Sequence, residues 1–236
     1  MPKICIQAGH VNTTNGQTGA PGEMAFNLDV ANQVSGELRK RGFEVLQTDA
    51  NANKDPKVTG QDWGLFLAIH YDADIYKDSG GFIDVPAVDF AAAESKRIAQ
   101  CIREAYFPTT GIKEVPQRRN PNTYEYYMWR VLSEKTPCVI IECGVGWRVP
   151  KDSDVLNSDR RTTLVMPGIV KGICKAFNVP FEANLPPSSG TTSPSNPPIP
   201  SSNSQADQLI SQIKQIVWGK GWPWSKLNKI KVLLPK

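Results

Sequence analysis

The 236-residue chain reads as an α/β protein: a twisted, mostly parallel sheet flanked by helices, with a small α-helical C-terminal module after a Pro/Ser linker. Three observations predict this. Short apolar runs alternate with segments of helical periodicity as far as about residue 180. Two of these runs end in the only histidines, His10 and His70, and a third ends in Glu142. From about residue 183 the composition turns to proline and serine, and then to lysine, tryptophan and aliphatic residues.

The elements follow in order. Lys3-Ile4-Cys5-Ile6-Gln7-Ala8-Gly9-His10 is a first strand-like run. After Glu23, the apolar residues Phe26, Val30, Val34 and Leu38 recur every four positions and mark one buried helical face, which Arg41-Gly42 ends. Phe43–Leu46 is the next strand, Leu65–Ile69 a fully buried one, and Gly80–Ile83 a short one. Residues 89–106 have helical spacing, with Phe90, Ile98, Ile102 and Ala105 facing inward. Tyr124–Lys135 reads as another helix, Val139–Ile141 as a strand, and 159–177 as a closing helix.

Composition narrows the function. The five cysteines are an odd set without a C-x-x-C pair, which predicts reduced, packed thiols and disfavours a thiolate metal site. No run is long and apolar enough to span a membrane, and no secretory signal pattern opens the chain; the expected starting place is a cytoplasm. The net charge of +4 is uneven: residues 206–236 carry six lysines against Asp207, leaving 21 basic and 22 acidic groups in residues 1–205. A near-neutral main domain argues against nucleic acid as its partner.

The candidate site comes from the strand ends. A neutral imidazole is a common metal ligand, and the end of a buried strand holds it rigidly. In a parallel sheet, ligands gather at the carboxyl ends of strands, so His10, His70 and Glu142 are expected to converge there. Gly19-Ala20-Pro21-Gly22-Glu23 places a further acid on a tight turn that can face the same edge. Two histidines and a glutamate form a catalytic zinc set, and a spare glutamate supplies acid-base chemistry. The competing structural readings are ordinary. A lone strand histidine is more often a packed core residue, and an acid at a helix N-terminus gains up to about 1 kcal/mol from the helix dipole. Glu142 fits them least, because burying an unpartnered carboxylate costs several kcal/mol.

The segments Ile4–His10, Gly19–Glu23, Phe66–His70 and Val139–Gly144 together resemble the motifs of zinc-dependent N-acetylmuramoyl-L-alanine amidases of the amidase-3 type, found among bacterial autolysins and phage endolysins. The resemblance covers about residues 3–178, and four motifs in this order are far more specific than any one of them. It implies the zinc amidase fold, with Zn2+ held by His10, Glu23 and His70. It implies further that a zinc-activated water attacks the amide between N-acetylmuramic acid and L-alanine of peptidoglycan, with Glu142 as general acid/base. Tyr71-Asp72 after the second histidine, and Val145-Gly146-Trp147 after the catalytic glutamate, depart from the family pattern and bear on substrate contacts. Arg118 and Arg119 are candidates for gripping stem-peptide carboxylates, and Tyr127 for lining the site; the alternatives are a solvated loop and an aromatic core helix.

The expected domains are therefore 1–180 (catalytic), 181–205 (linker) and 206–236 (a helical, wall-binding module). In the last, Leu209, Ile210, Ile213, Ile216 and Val217 form an amphipathic stripe, followed by Trp218, Trp222 and Trp224. A module this small folds alone only marginally, so its apolar residues serve equally well as its own core or as a docking face. The whole reads as an endolysin held in the host cytoplasm until the membrane is permeabilised, then acting at the cell wall and causing lysis. A zinc exopeptidase or other amidohydrolase, a catalytically silent wall-binding protein and a membrane-active tail are the competing readings.

Overall fold

Five runs of alternating and continuous apolar residues form one sheet in the computed structural model, which describes residues 2–14, 18–72, 77–87 and 92–182. The strands are β1 (Lys3–Ala8), β2 (Glu44–Thr48), β3 (Leu65–Asp72), β4 (Phe82–Asp84) and β5 (Cys138–Val145). Their spatial order is β2-β1-β3-β5-β4. The first three pairings are parallel, and β4 joins β5 antiparallel at the edge. All eight residues of β3 are buried, as expected of a central strand covered on both faces.

Because side chains alternate along a strand, the sheet has two distinct inner faces. Ile4 and Ile6 of β1, Leu65, Leu67, Ile69 and Tyr71 of β3, and Val139 and Ile141 of β5 form one core with α1 (Glu23–Lys40), α2 (Ala92–Thr110) and α5 (Met166–Ala176). Phe26, Val30, Val34 and Leu38 of α1 are all essentially fully buried against it, as their spacing predicts. Cys5, Phe66, Ala68, Cys138 and Ile140 point the other way, onto Trp63, Tyr126, Met128 and Trp129. Gln7, His70 and Glu142 share the parity of this second face, at its carboxyl end. All five cysteines are free thiols. Among the described residues no helix is long and apolar enough to cross a membrane.

Three expectations need correction. The helix expected over Tyr124–Lys135 is instead the single turn α3 (Pro121–Tyr124) followed by a 3-10 turn, Tyr127–Arg130. Asn120 caps α3 with a reciprocal Asn120/Thr123 box and Pro121 starts it, so the helix begins and ends earlier than the aromatic pattern suggests. Tyr126 then takes extended dihedrals, φ −50° and ψ 134°, which turn its ring inward together with Met128 and Trp129. The closing helix exists but opens as a π turn, Arg161–Val165, ahead of Pro167, whose missing N–H cannot bond the preceding turn. The helix expected over 89–106 runs on to Thr110, with Ile98, Ile102 and Ala105 buried; Phe90 lies outside the described residues. A short helix, α4 (Pro150–Leu156), was not foreseen, although Pro150 at its first turn is a start signal.

Asp152 of α4 holds the carboxyl edge of β5 in place. Fully buried, it accepts hydrogen bonds from the Ser79 hydroxyl, the Gly80 N–H (2.9 Å) and the Val145 N–H (3.0 Å). Asp152→Ala leaves two buried N–H groups without partners, each costing about 1–3 kcal/mol. The expected result is a melting temperature lower by roughly 4–24 °C; a change under a degree would show that the carboxylate carries no such load.

The main unit packs through Glu182: the Arg41 guanidinium lies 4.8 Å over the Phe181 ring and donates to the Glu182 carbonyl at 3.0 Å. The expected linker beyond that point and the 206–236 module lie outside the described residues.

Candidate metal centre

The chain makes the site by ending three elements at one place. His10 follows β1 in the left-handed region, φ 60°, where the chain turns and the Thr13 N–H bonds the His10 carbonyl. A non-glycine residue there is uncommon, and such strain collects at functional sites. His70 is the sixth residue of β3 and its side chain is almost fully buried. Glu23 opens α1, after Gly22 in the left-handed conformation has reversed the chain.

These three side chains converge. Glu23 Oε1 lies 3.1 Å from His70 Nδ1 and 3.5 Å from His10 Nε2. One donor atom from each residue falls within 4.8 Å of the others, making a group that can hold a metal ion. The imidazole rings meet edge to face, 4.9 Å between centroids. The Ala20 N–H holds Glu23 Oε2 at 2.8 Å, and Asn27 Nδ2, one helical turn on, donates to Glu23 Oε1 at 3.3 Å and to the Gly9 carbonyl at 2.9 Å. Burial pushes the Glu23 carboxyl upward, but the His70 hydrogen bond, both imidazoles and the Ala20 N–H outweigh it and hold the group below the usual range. It is kept as a carboxylate, the form a metal needs.

The backbone around the cluster is shaped to it. A Cβ on Gly9 would lie only 2.1 Å from the nearest atom of the His70 ring, and one on Gly19 would strike the Glu23 carboxylate at 2.2 Å. Two imidazole nitrogens and a carboxylate oxygen match the donor set of zinc sites that keep one position open.

Glu142 stands directly beside His70, its register partner across β3 and β5. Burial, then the charges of Glu23 and Asp72, raise its carboxyl well above the usual carboxylate value. In the metal-free site such a group favours its protonated form, and a cation held by the neighbouring His–Glu–His group would draw it back toward the carboxylate that a general base needs.

The other candidates fall into different places. Arg118 has a largely buried guanidinium that faces Asp72 at 3.5 Å and donates to the carbonyls of Asp78 (2.9 Å) and Gly80 (3.2 Å). Arg119 is half exposed, paired with Asp84 at 2.9 Å and lying 5.6 Å from the Tyr124 ring centroid. Tyr127 is exposed along its edge, while its hydroxyl donates to the Ala50 carbonyl at 2.6 Å. Sequence reasoning missed Asn27, Gln7 and Tyr126. Asn27 stands four residues after Glu23, a helical-neighbour signal, and Gln7 is a lone amide within an apolar strand. Tyr126 gave no signal, because its position depends on the break between α3 and the following turn.

The protein is thus an open-sheet α/β fold that gathers a His–Glu–His group, able to hold a metal ion, at the carboxyl edge of its sheet. The chain matches the family model for N-acetylmuramoyl-L-alanine amidase, Amidase_3, over residues 4–175, and belongs to that family. Solved structures share the fold. The catalytic domain of CwlV, an N-acetylmuramoyl-L-alanine amidase from Bacillus (Paenibacillus) polymyxa var. colistinus, is 21% identical with a TM-score of 0.57, covering 76% of this chain and all of that one. The CwlD amidase from Clostridioides difficile, solved with the GerS lipoprotein, is 18% identical with a TM-score of 0.57, covering 75% and 99%. The catalytic domain of the CD27L endolysin targeting Clostridia difficile is 18% identical with a TM-score of 0.51, covering 74% and 98%. Among curated proteins no match is found.

Proposed function

We propose that this chain is a zinc-dependent amidase that cuts the bond between N-acetylmuramic acid and L-alanine, and that it serves as an endolysin. The observation that carries the reading is the meeting of His10, Glu23 and His70 with Glu142 alongside. His10, Glu23 and His70 hold the zinc. When bound, zinc supplies Lewis-acid chemistry, acidifying a water and polarising the amide carbonyl. Glu142 accepts the proton of the attacking water at its carboxylate. It then returns that proton to the departing alanine nitrogen, which leaves as a neutral amine. Glu23, fixed at both oxygens, and the packed His70 keep the geometry constant between the two transfers.

The test is product analysis on purified peptidoglycan. New N-terminal alanine, lost on chelation and accompanied by no new reducing sugar ends, is the expected outcome. Release of free terminal amino acids from peptides, with walls untouched, would favour an exopeptidase instead.

The endolysin part of the proposal rests on the family, the fold shared with an endolysin catalytic domain, and the Pro/Ser stretch leading to a Lys- and Trp-bearing tail. In this reading the enzyme stays in the host cytoplasm until the membrane opens, and then lyses the wall. The tail gives a second foothold on an anionic wall polymer and raises local enzyme concentration. Removing residues 184–236 is expected to reduce retention on cell walls at least about tenfold, with hydrolysis of soluble fragments retained. Equal wall retention by the shortened protein would dismiss the foothold.

A further inference from the structure

Behind His70 lies a chain of hydrogen bonds that the proposed chemistry does not use. Gln7 of β1 is fully buried beneath the site. Its Nε2 donates to the Asp49 carbonyl at 3.0 Å and to the Tyr127 hydroxyl at 2.9 Å. The Tyr126 hydroxyl donates to Gln7 Oε1 at 2.8 Å, and His70 Nε2 lies 3.2 Å from that same hydroxyl. The rings of His70 and Tyr126 stand edge to face, 5.6 Å apart.

The direction of every bond in this chain is forced from one end. The Ala50 carbonyl can only accept, so the single Tyr127 proton goes to it and the Tyr127 oxygen accepts from Gln7. The Asp49 carbonyl also can only accept, which turns the Gln7 amide nitrogen toward it and leaves Oε1 facing Tyr126. Tyr126 has one proton and gives it to Oε1. Its oxygen therefore meets His70 as an acceptor, and the nitrogen opposite must carry a proton.

We propose that Tyr126 is a positioning residue that holds a proton on His70 Nε2, so that a bound metal takes Nδ1 in place of the proton that Nδ1 shares with Glu23 in the metal-free site. The backbone carbonyl of Asp49, seconded by that of Ala50 through Tyr127, thus determines which nitrogen of the β3 histidine is the ligand. The inference rests on the zinc reading of the site. Partners that orient a ligating imidazole typically change metal affinity by about 10–100-fold when removed.

The experiment uses the full chain, 15N-labelled and zinc-loaded, and reads the imidazoles by long-range nitrogen–proton correlation. With only two histidines the spectrum is simple. The expected result is a His70 proton on Nε2 that exchanges slowly with water. Tyr126→Phe should speed that exchange and weaken zinc binding about 10–100-fold in a chelator competition. Tyr127→Phe should leave the tautomer unchanged, because Asp49 still holds the Gln7 amide. A His70 proton on Nδ1 in the zinc-loaded wild type overturns the proposal outright, whatever the variants do. A folded Tyr126→Phe protein with wild-type exchange and zinc affinity overturns it as well. Failure of the wild type to take up zinc removes the metal reading itself, a distinct outcome from zinc uptake with the wrong tautomer.

Discussion

Glu142→Gln is expected to keep the fold and one equivalent of zinc while losing about 10²- to 10⁴-fold in turnover. The substitution preserves shape and hydrogen-bonding capacity but removes the group that exchanges a proton. It also takes away a carboxyl that burial and the charges of Glu23 and Asp72 make costly to ionise. The metal-free protein should therefore melt at the same temperature or higher. The measurement is kcat on soluble muropeptide beside zinc content and melting temperature. Turnover within threefold of wild type would move the acid-base role elsewhere. Loss of zinc together with activity would make Glu142 a ligand rather than a proton carrier.

Gly9→Ala is expected to be almost as damaging, although Gly9 offers no chemistry. Its Cα faces the His70 ring so closely that an added methyl would occupy the space of that ring. β3 is central and fully buried, so its backbone has little freedom to retreat, and the imidazole must turn away. Zinc affinity should fall about 100-fold, judged against the effect of losing an orienting contact. Gly36→Ala is the control: mid-helix and with open space around it, it should stabilise the fold by about 0.5–1 kcal/mol and leave zinc binding alone. Zinc titration of the two proteins decides the matter, and equal affinities would show that the ring accommodates the methyl.

Much of this site is legible in the sequence because it depends on period and position. Alternation along β3 and β5 puts His70 and Glu142 on one face, and the four-residue recurrence from Phe26 to Leu38 gives α1 and so locates Glu23 at its start. The illegible parts depend on events between distant segments. Tyr126 reaches His70 only because the backbone leaves helical dihedrals at that residue, against an aromatic pattern that suits a helix. That Arg118 engages Asp72 and two backbone carbonyls is likewise hidden, because those partners lie about 40 residues earlier in the chain. Its neighbour Arg119 is the more exposed of the two, a difference that spacing along the chain does not encode.

The pairing of His70 with Glu142 across β3 and β5 also ties the chemistry to the order of folding. These strands are separated by a long stretch of chain, and non-local parallel pairings are among the slowest contacts to form. A nascent or partly folded molecule therefore carries no working site, however well its helices have formed. Activity should be recovered in refolding in step with burial of the sheet, at the same rate as the near-ultraviolet circular dichroism of the packed aromatic rings, Trp63 and Trp129 among them. Hydrolysis regained clearly ahead of that signal would show that the catalytic row assembles without the rest of the sheet.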